Sequence, residues 1–306
     1  MIDKPFLHGL LALCVMSVLS VAPQAEEAAP FPLLLSPDEL AARLDDVTLV
    51  DIRSAEDFLE KRLPQSVWLS SAEFFETRNA IPRMLPEAEA LATFFSERGI
   101  PQDVPVVIYG ANEHAGDMVT VARAFWAFET VGYDAVAILD GGLARWEAEG
   151  HDLVSEPPPP RSQADVTPTP DGQRAIATKA DVKRALENDG AVLVDARPAN
   201  QYSGAVPVRG IERRGHIPGA HNIVYSRVVT MPHAVFKSPE ELKELLYGDG
   251  ICDDTAVIVY CNAGSFSSLL YVAYRLLGHD TVANYDGSMM EWAADAALPV
   301  STDARE

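Results

Sequence analysis

Val257-Ile258-Val259-Tyr260-Cys261-Asn262-Ala263-Gly264-Ser265-Phe266-Ser267 is the stretch that decides how this chain folds. Its first four residues form an unbroken apolar, β-branched run, which reads as a strand buried on both faces. A short loop of small residues follows, and a helix is expected to begin near Phe266. Strand, tight loop and helix make the repeating unit of an α/β sheet. Ligands of such sheets bind outside the carboxyl ends of the strands, and Cys261 stands at that point. A helix N-terminus facing a thiol favours its ionised form through the dipole and the free N–H groups. Cys261 is therefore read as a nucleophile able to hold a charged sulfur species. The alternative is an inert core cysteine, since a free thiol packs as a small hydrophobe.

Working outward, the same unit occurs twice. Leu49-Val50-Asp51-Ile52-Arg53 returns as Leu193-Val194-Asp195-Ala196-Arg197. Val106-Val107-Ile108-Tyr109-Gly110 returns as Val257-Ile258-Val259-Tyr260-Cys261. Leu139-Asp140-Gly141-Gly142 with Trp146 returns as Tyr285-Asp286-Gly287-Ser288 with Trp292. Three motifs in the same order at nearly constant offset indicate duplication. Gly110 occupies the cysteine's place in the first half, so only the second half can carry the thiol. Between the halves, four consecutive prolines at 157–160 and a Thr167-Pro168-Thr169-Pro170 run cannot continue a helix or a central strand. Residues 155–175 are read as an extended linker.

Helices are expected at 37–44 (capped by Ser36), 86–98 and 118–131 in half one. Their counterparts are expected at 178–188, 238–247 and 265–277 in half two. Buried strands alternating with helices predict an α/β fold: two tandem domains, 36–154 and 176–304, each a parallel sheet flanked by helices.

Lys4 followed by an apolar run at 6–21 and Ala22-Pro23-Gln24-Ala25 reads as a signal peptide at 1–25. The run is short of the about 20 apolar residues that span a membrane. The protein is therefore expected to be exported, with a periplasmic location, and to touch a membrane only through this segment if it is not cleaved. The formal net charge is −21, which argues against nucleic-acid binding and repels anions at long range. An anionic substrate would need a local cationic pocket. Without the signal, Cys252 and Cys261 remain, separated by a strand of about 3.3 Å per residue. No bridge between them is expected; Cys252 is read as structural.

Gly215-His216-Ile217-Pro218-Gly219-Ala220-His221-Asn222-Ile223 resembles the first signature of the rhodanese family of sulfurtransferases, with Glu212 where an aromatic is usual. Tyr285-Asp286-Gly287-Ser288-Met289-Met290-Glu291-Trp292 resembles that family's C-terminal signature, with Met289 in an aromatic's place. Phe58-Leu59-Glu60-Lys61-Arg62-Leu63-Pro64 is a weaker echo in half one, with Arg62 in the histidine's place. The resemblance runs from Ser36 onward and implies two rhodanese-like domains, the first inactive and the second catalytic.

It further implies a persulfide at Cys261, loaded by a small sulfur donor and discharged to cyanide or a thiol, with no cofactor and no metal. The two displacements are covalent catalysis. Asn262, Ala263, Gly264, Ser265 and Phe266 would wrap the persulfide, Gly264 permitting the tight curve. Asn262 and Ala263 replace the cations of thiosulfate-type members, and Ala263 also replaces the serine of mercaptopyruvate-type members. Arg197 matches an arginine that the family uses for the donor anion; an Asp195–Arg197 pair at the strand end is the alternative. Arg83 resembles a half-one residue lining the pocket mouth, and favours thiosulfate over 3-mercaptopyruvate as the donor. Arg209, Arg213 and Arg214 are read as a solvated loop, or else a basic rim, and His216 as holding its turn. Asp51, Asp140, Asp286, Trp146 and Trp292 are read as structural.

A cysteine phosphatase would need arginine at position 267, where Ser267 stands; the shorter spacing of some single-domain sulfurtransferases would put it at 266, where Phe266 stands. The reading from another class is a non-enzymatic persulfide carrier or rhodanese-like binding module.

Overall fold

The structure is a computed structural model and describes residues 30–158, 160–188, 190–248 and 251–302. The signal-peptide assignment at 1–25 lies outside the described residues. Among those described, no helix is long and apolar enough to cross a membrane.

Both halves fold as the duplicated motifs require. In half one the strands lie in the order Leu34–Leu35, Val136–Leu139, Val106–Tyr109, Thr48–Asp51, Val67–Trp68, all parallel. Half two repeats the order with Ile176–Ala177, Val282–Tyr285, Val257–Tyr260, Val192–Asp195 and His221–Asn222. The central strands Val106–Tyr109 and Val257–Tyr260 are buried along their whole length. Helices on both faces demand this of a parallel sheet.

The helices start and stop where local chemistry directs. Ser36 accepts the Glu39 amide and Glu39 reaches back, a capping box on Pro37–Ala41. This helix is shorter than the expected 37–44, its continuation being the separate 3-10 turn Leu44–Asp46. The second helix is Ala88–Glu97, inside the expected 86–98. The third, Ala115–Val131, begins three residues earlier than 118, because His114 and Asp117 close a capping box there. In half two the helices are Lys179–Asn188, Pro239–Leu246 and Ser265–Leu276.

Residues Phe31–Glu306 form one compact unit. Helices Ala115–Val131 and Ser265–Leu276 pack against each other between the halves and share a buried cluster. There Tyr271 donates to Glu129 at 2.5 Å and Arg275 pairs with the same carboxylate at 3.2 Å. The linker region lies along half one. The amides of Ala164 and Thr169 donate to the carbonyls of Ser96 and Val131, each at 3.0 Å.

Each half also sends a hairpin to the other. After Glu76–Arg78 and Ile81–Met84, the Leu85 amide donates to Asp286 at 2.6 Å. In the reciprocal hairpin, Val229–Thr230 with Val235–Phe236, the Phe236 amide donates to Asp140 at 3.0 Å. The duplicated aspartates are thus the sockets of a two-fold exchange between the halves.

Candidate active site

Cys261 follows the middle strand of the half-two sheet and is 1% exposed. The strand run directly before it and the helix at Ser265 directly after it leave only residues 262–264 for the turn. Gly264 makes that turn with φ +69°, a left-handed conformation that side chains resist. A Cβ at Gly264 would lie 2.7 Å from an Asp286 oxygen and 2.8 Å from Arg123 Nη1.

The loop is braced by Ser288. The amides of Cys261 and Gly264 donate to its hydroxyl at 3.0 and 3.1 Å, and the hydroxyl donates to the Tyr285 carbonyl at 2.7 Å. Met289 and Met290 amides donate to the carbonyls of Cys261 and Asn262. The amides of Asn262, Ala263, Ser265 and Phe266 make no hydrogen bond among the described residues. A loop with four unspent N–H groups at the start of a helix is an anion receptor in the making. Asn262 donates its side-chain amide to Gln201 at 2.9 Å. Phe266 stacks on Tyr225, ring centres 4.3 Å apart and planes within 8°.

Arg197 does not reach out to a donor. Its guanidinium is buried against Asp195, with Nε at 2.9 and 3.0 Å and Nη2 at 2.6 Å, and it also donates to the Gly215 carbonyl at 2.8 Å. Burial opposes its charge, but the Asp195 carboxylate outweighs burial and holds Arg197 above its ordinary value. Half one repeats the pair as Arg53–Asp51 at 2.7 Å, with no thiol to serve. The pair recurs at the strand end of both halves, as the alternative reading of Arg197 has it.

Arg83 is exposed, with its guanidinium 4.2 Å from the centre of the Phe75 ring. It meets the site through its backbone, since its carbonyl accepts from Arg123. Arg213 forms neither a solvated loop nor a rim. It donates to the carbonyls of Trp292, Ala293, Asp295 and Leu298, closing the end of helix Ser288–Trp292. His216 is buried, bonded to the Tyr202 carbonyl at 2.9 Å and stacked on that ring, as a turn-holding residue would be. Among the described residues both cysteines are free, Cys261 buried and Cys252 exposed.

Arg123 escaped the sequence reading. It comes from half one, is 1% exposed, and holds Asp286 with two contacts of 3.3 Å beside Gly264. Burial pulls Arg123 down and pushes Asp286 up, each against the charge of its partner. Cys261 adds to the field that favours the Arg123 charge. Ser288 was also missed, although the repeat carries a signal: half one has Gly142 at that place. Half one leaves no room for side chains at Gly110 and Gly142. A Cβ on Gly110 would lie 2.9 Å from Val121, and Asn112 occupies the space where a side chain at Gly142 would go.

The rhodanese-like domain family matches twice, at residues 36–149 and 178–295. The 3-mercaptopyruvate sulfurtransferase of Escherichia coli is 31% identical over 280 residues, covering 86% of this chain and 95% of that protein. The thiosulfate sulfurtransferase of Corynebacterium glutamicum is 32% identical over 293 residues, covering 92% and 94%. Among solved structures, the 3-mercaptopyruvate sulfotransferase SseA of Escherichia coli superposes with TM-score 0.72 at 28% identity, covering 84% of this chain and 98% of that one. Two matched domains, the repeated sheet order and relatives aligned over nearly their full length agree: this chain belongs to the rhodanese family, as a tandem-domain sulfurtransferase.

Proposed function

We propose that the chain moves sulfane sulfur from a small donor to cyanide or a thiol through a persulfide on Cys261. The observation that carries this reading is the loop 262–266 beside Cys261, whose amides at Asn262, Ala263, Ser265 and Phe266 are unspent. A terminal persulfide sulfur bears negative charge, and N–H groups fixed before it forms need no reorganisation to receive it.

In the first displacement the Cys261 thiolate attacks the outer sulfur of the donor. With thiosulfate the donor's S–S bond breaks and sulfite leaves with the electron pair. With 3-mercaptopyruvate the C–S bond breaks and the pyruvate enolate leaves and takes up a proton. In the second, cyanide attacks the terminal sulfur, the enzyme's S–S bond breaks, thiocyanate departs and the thiolate returns. No metal or organic cofactor enters these steps. Export is part of the same proposal, on the leader at 1–25, and cell fractionation tests it.

The test incubates the purified chain with thiosulfate, and separately with 3-mercaptopyruvate, and records the intact mass before and after cyanide. Gain of one sulfur, absent in Cys261→Ser and released as thiocyanate, is the expected result. A folded chain with a free Cys261 thiol that gains sulfur from neither donor refutes it.

A further inference from the structure

The duplication supplies an internal control for the surroundings of Cys261. In half one, Trp68 lies opposite Asp51 in the register of the sheet; in half two, Asn222 lies opposite Asp195. Three residues further on stand Ser71 and Tyr225. The two central helices are each followed by a glycine, Gly132 and Gly278, with matching closing bonds to Glu129 and Arg275. Counting back from those glycines sets Thr120 opposite Phe266.

Ser71 and Thr120 line one open pocket of about 400 Å³, which also contains Gly110 and Ala111, the counterparts of Cys261 and Asn262. In half two the same two places hold the stacked rings of Tyr225 and Phe266, and Cys261 is 1% exposed. The position of the pair follows from the backbone as well. Tyr225 N–H donates to the Ala196 carbonyl, and Ala196 N–H donates to the carbonyl of Tyr260, next to Cys261. Where the half without a thiol has an open polar pocket, the half with the thiol has an aromatic wall.

Charge points the same way. No residue of the loop 262–266 is a cation. Arg197 and Arg123 are held by Asp195 and Asp286. Arg83 rests on Phe75, and Arg227 lines a different groove with Asn200, His221 and Glu244. A hydrated dianion passing the rings would shed water against an apolar face with no unpaired cation of the loop to replace it. A flat organic molecule sheds little water there and can lie against the rings.

We infer that Tyr225 and Phe266 are the specificity-determining residues of this site, an aromatic wall that admits sulfur carried on a planar organic framework and screens out inorganic dianions. The inference rests on the proposed sulfur transfer at Cys261 and departs from the thiosulfate preference that Arg83 suggested.

The experiment compares the full chain with Phe266→Thr and Tyr225→Ser, which restore half-one chemistry, and with Tyr225→Phe, which keeps the stack. Thiocyanate formation gives kcat/KM for thiosulfate and for 3-mercaptopyruvate. The wild type favours 3-mercaptopyruvate. Phe266→Thr and Tyr225→Ser move the ratio toward thiosulfate by about tenfold, the scale on which one altered pocket contact discriminates. Tyr225→Phe keeps the wild-type ratio. An unchanged ratio in both ring-removing variants, or equal loss of both donors, overturns the inference.

A second reading needs no turnover. Alkylation by iodoacetamide and by iodoacetate is followed by mass on the peptide carrying Cys261, with glutathione as the free-thiol reference. The rings should depress the iodoacetate rate relative to iodoacetamide, and their removal should restore it; equal ratios in wild type and variants overturn the screen. If the wild type takes sulfur from neither donor, sulfur transfer is refuted, and the alkylation ratios still decide the screen.

Discussion

Replacing Asp286 with alanine tests whether half one is energetically part of the active loop. The change removes the acceptor of the Leu85 amide (2.6 Å) and, among the described residues, the only ion-pair partner of the buried Arg123, whose two contacts are 3.3 Å each. Breaking a buried pair by removing one partner costs about 3–5 kcal/mol, because the other charge is stranded. A buried N–H left without an acceptor adds about 1–3 kcal/mol. Asp286→Ala should therefore lose roughly 4 kcal/mol or more, in urea unfolding followed by tryptophan fluorescence. Adding Arg123→Met removes the stranded charge while leaving apolar volume beside Trp126 and Phe75. The double variant should be more stable than Asp286→Ala alone, with a coupling energy of about 2 kcal/mol, within the range for directly contacting groups. If the two changes simply add, the pair carries no coupling and the view of Arg123 as a cation delivered to the loop by half one is wrong.

Cys261→Ser should abolish sulfur uptake with no large change in the urea midpoint, since the two side chains are close in volume; intact mass and unfolding check both. Gly264→Ala should cost at least about 1–2 kcal/mol from its φ of +69° alone. The contacts awaiting its Cβ at Asp286 and Arg123 should also reduce kcat; urea unfolding and thiocyanate release check the two effects. Burial raises Glu129 above its ordinary carboxylate value of 4.5, against Arg275 and the Tyr271 hydroxyl. A raised acid binds its proton more tightly folded than unfolded, so its contribution to stability falls as pH rises through that window. Glu129→Gln should flatten that fall above about pH 4.5, measured as the urea midpoint against pH; a steeper fall in the variant would sink this reading.

Much of the site was legible because its chemistry is local. Cys261, the turn at Gly264 and the helix start at Ser265 are neighbours in sequence, and apolar periodicity with one glycine is enough to order them. The Asp195–Arg197 pair was equally legible as a pair, but not its role. Two strand-end residues two positions apart can bind each other or share a ligand, and only the tertiary structure shows that they are buried together. Helix ends slipped where side chains intervened: the His114–Asp117 capping box extends one helix, and a 3-10 turn cuts another short after Ala41. Arg83 shows the limit of position-by-position likeness. Its guanidinium rests on Phe75, and its carbonyl accepts from Arg123.

By itself the sequence determined the duplicated α/β design and confined the thiol to the second half. Strand periodicity, glycine turns and repeated motifs act over a few residues and need no knowledge of what lies across the molecule. The tertiary structure alone decided that half one brings Arg123 and the Leu85 amide to Asp286 beside Gly264, and that Tyr225 stacks on Phe266. Those partners are separated by tens to hundreds of residues along the chain. Their meeting depends on how two sheets and their hairpins pack, since a buried charge or amide takes whatever partner packing brings within reach.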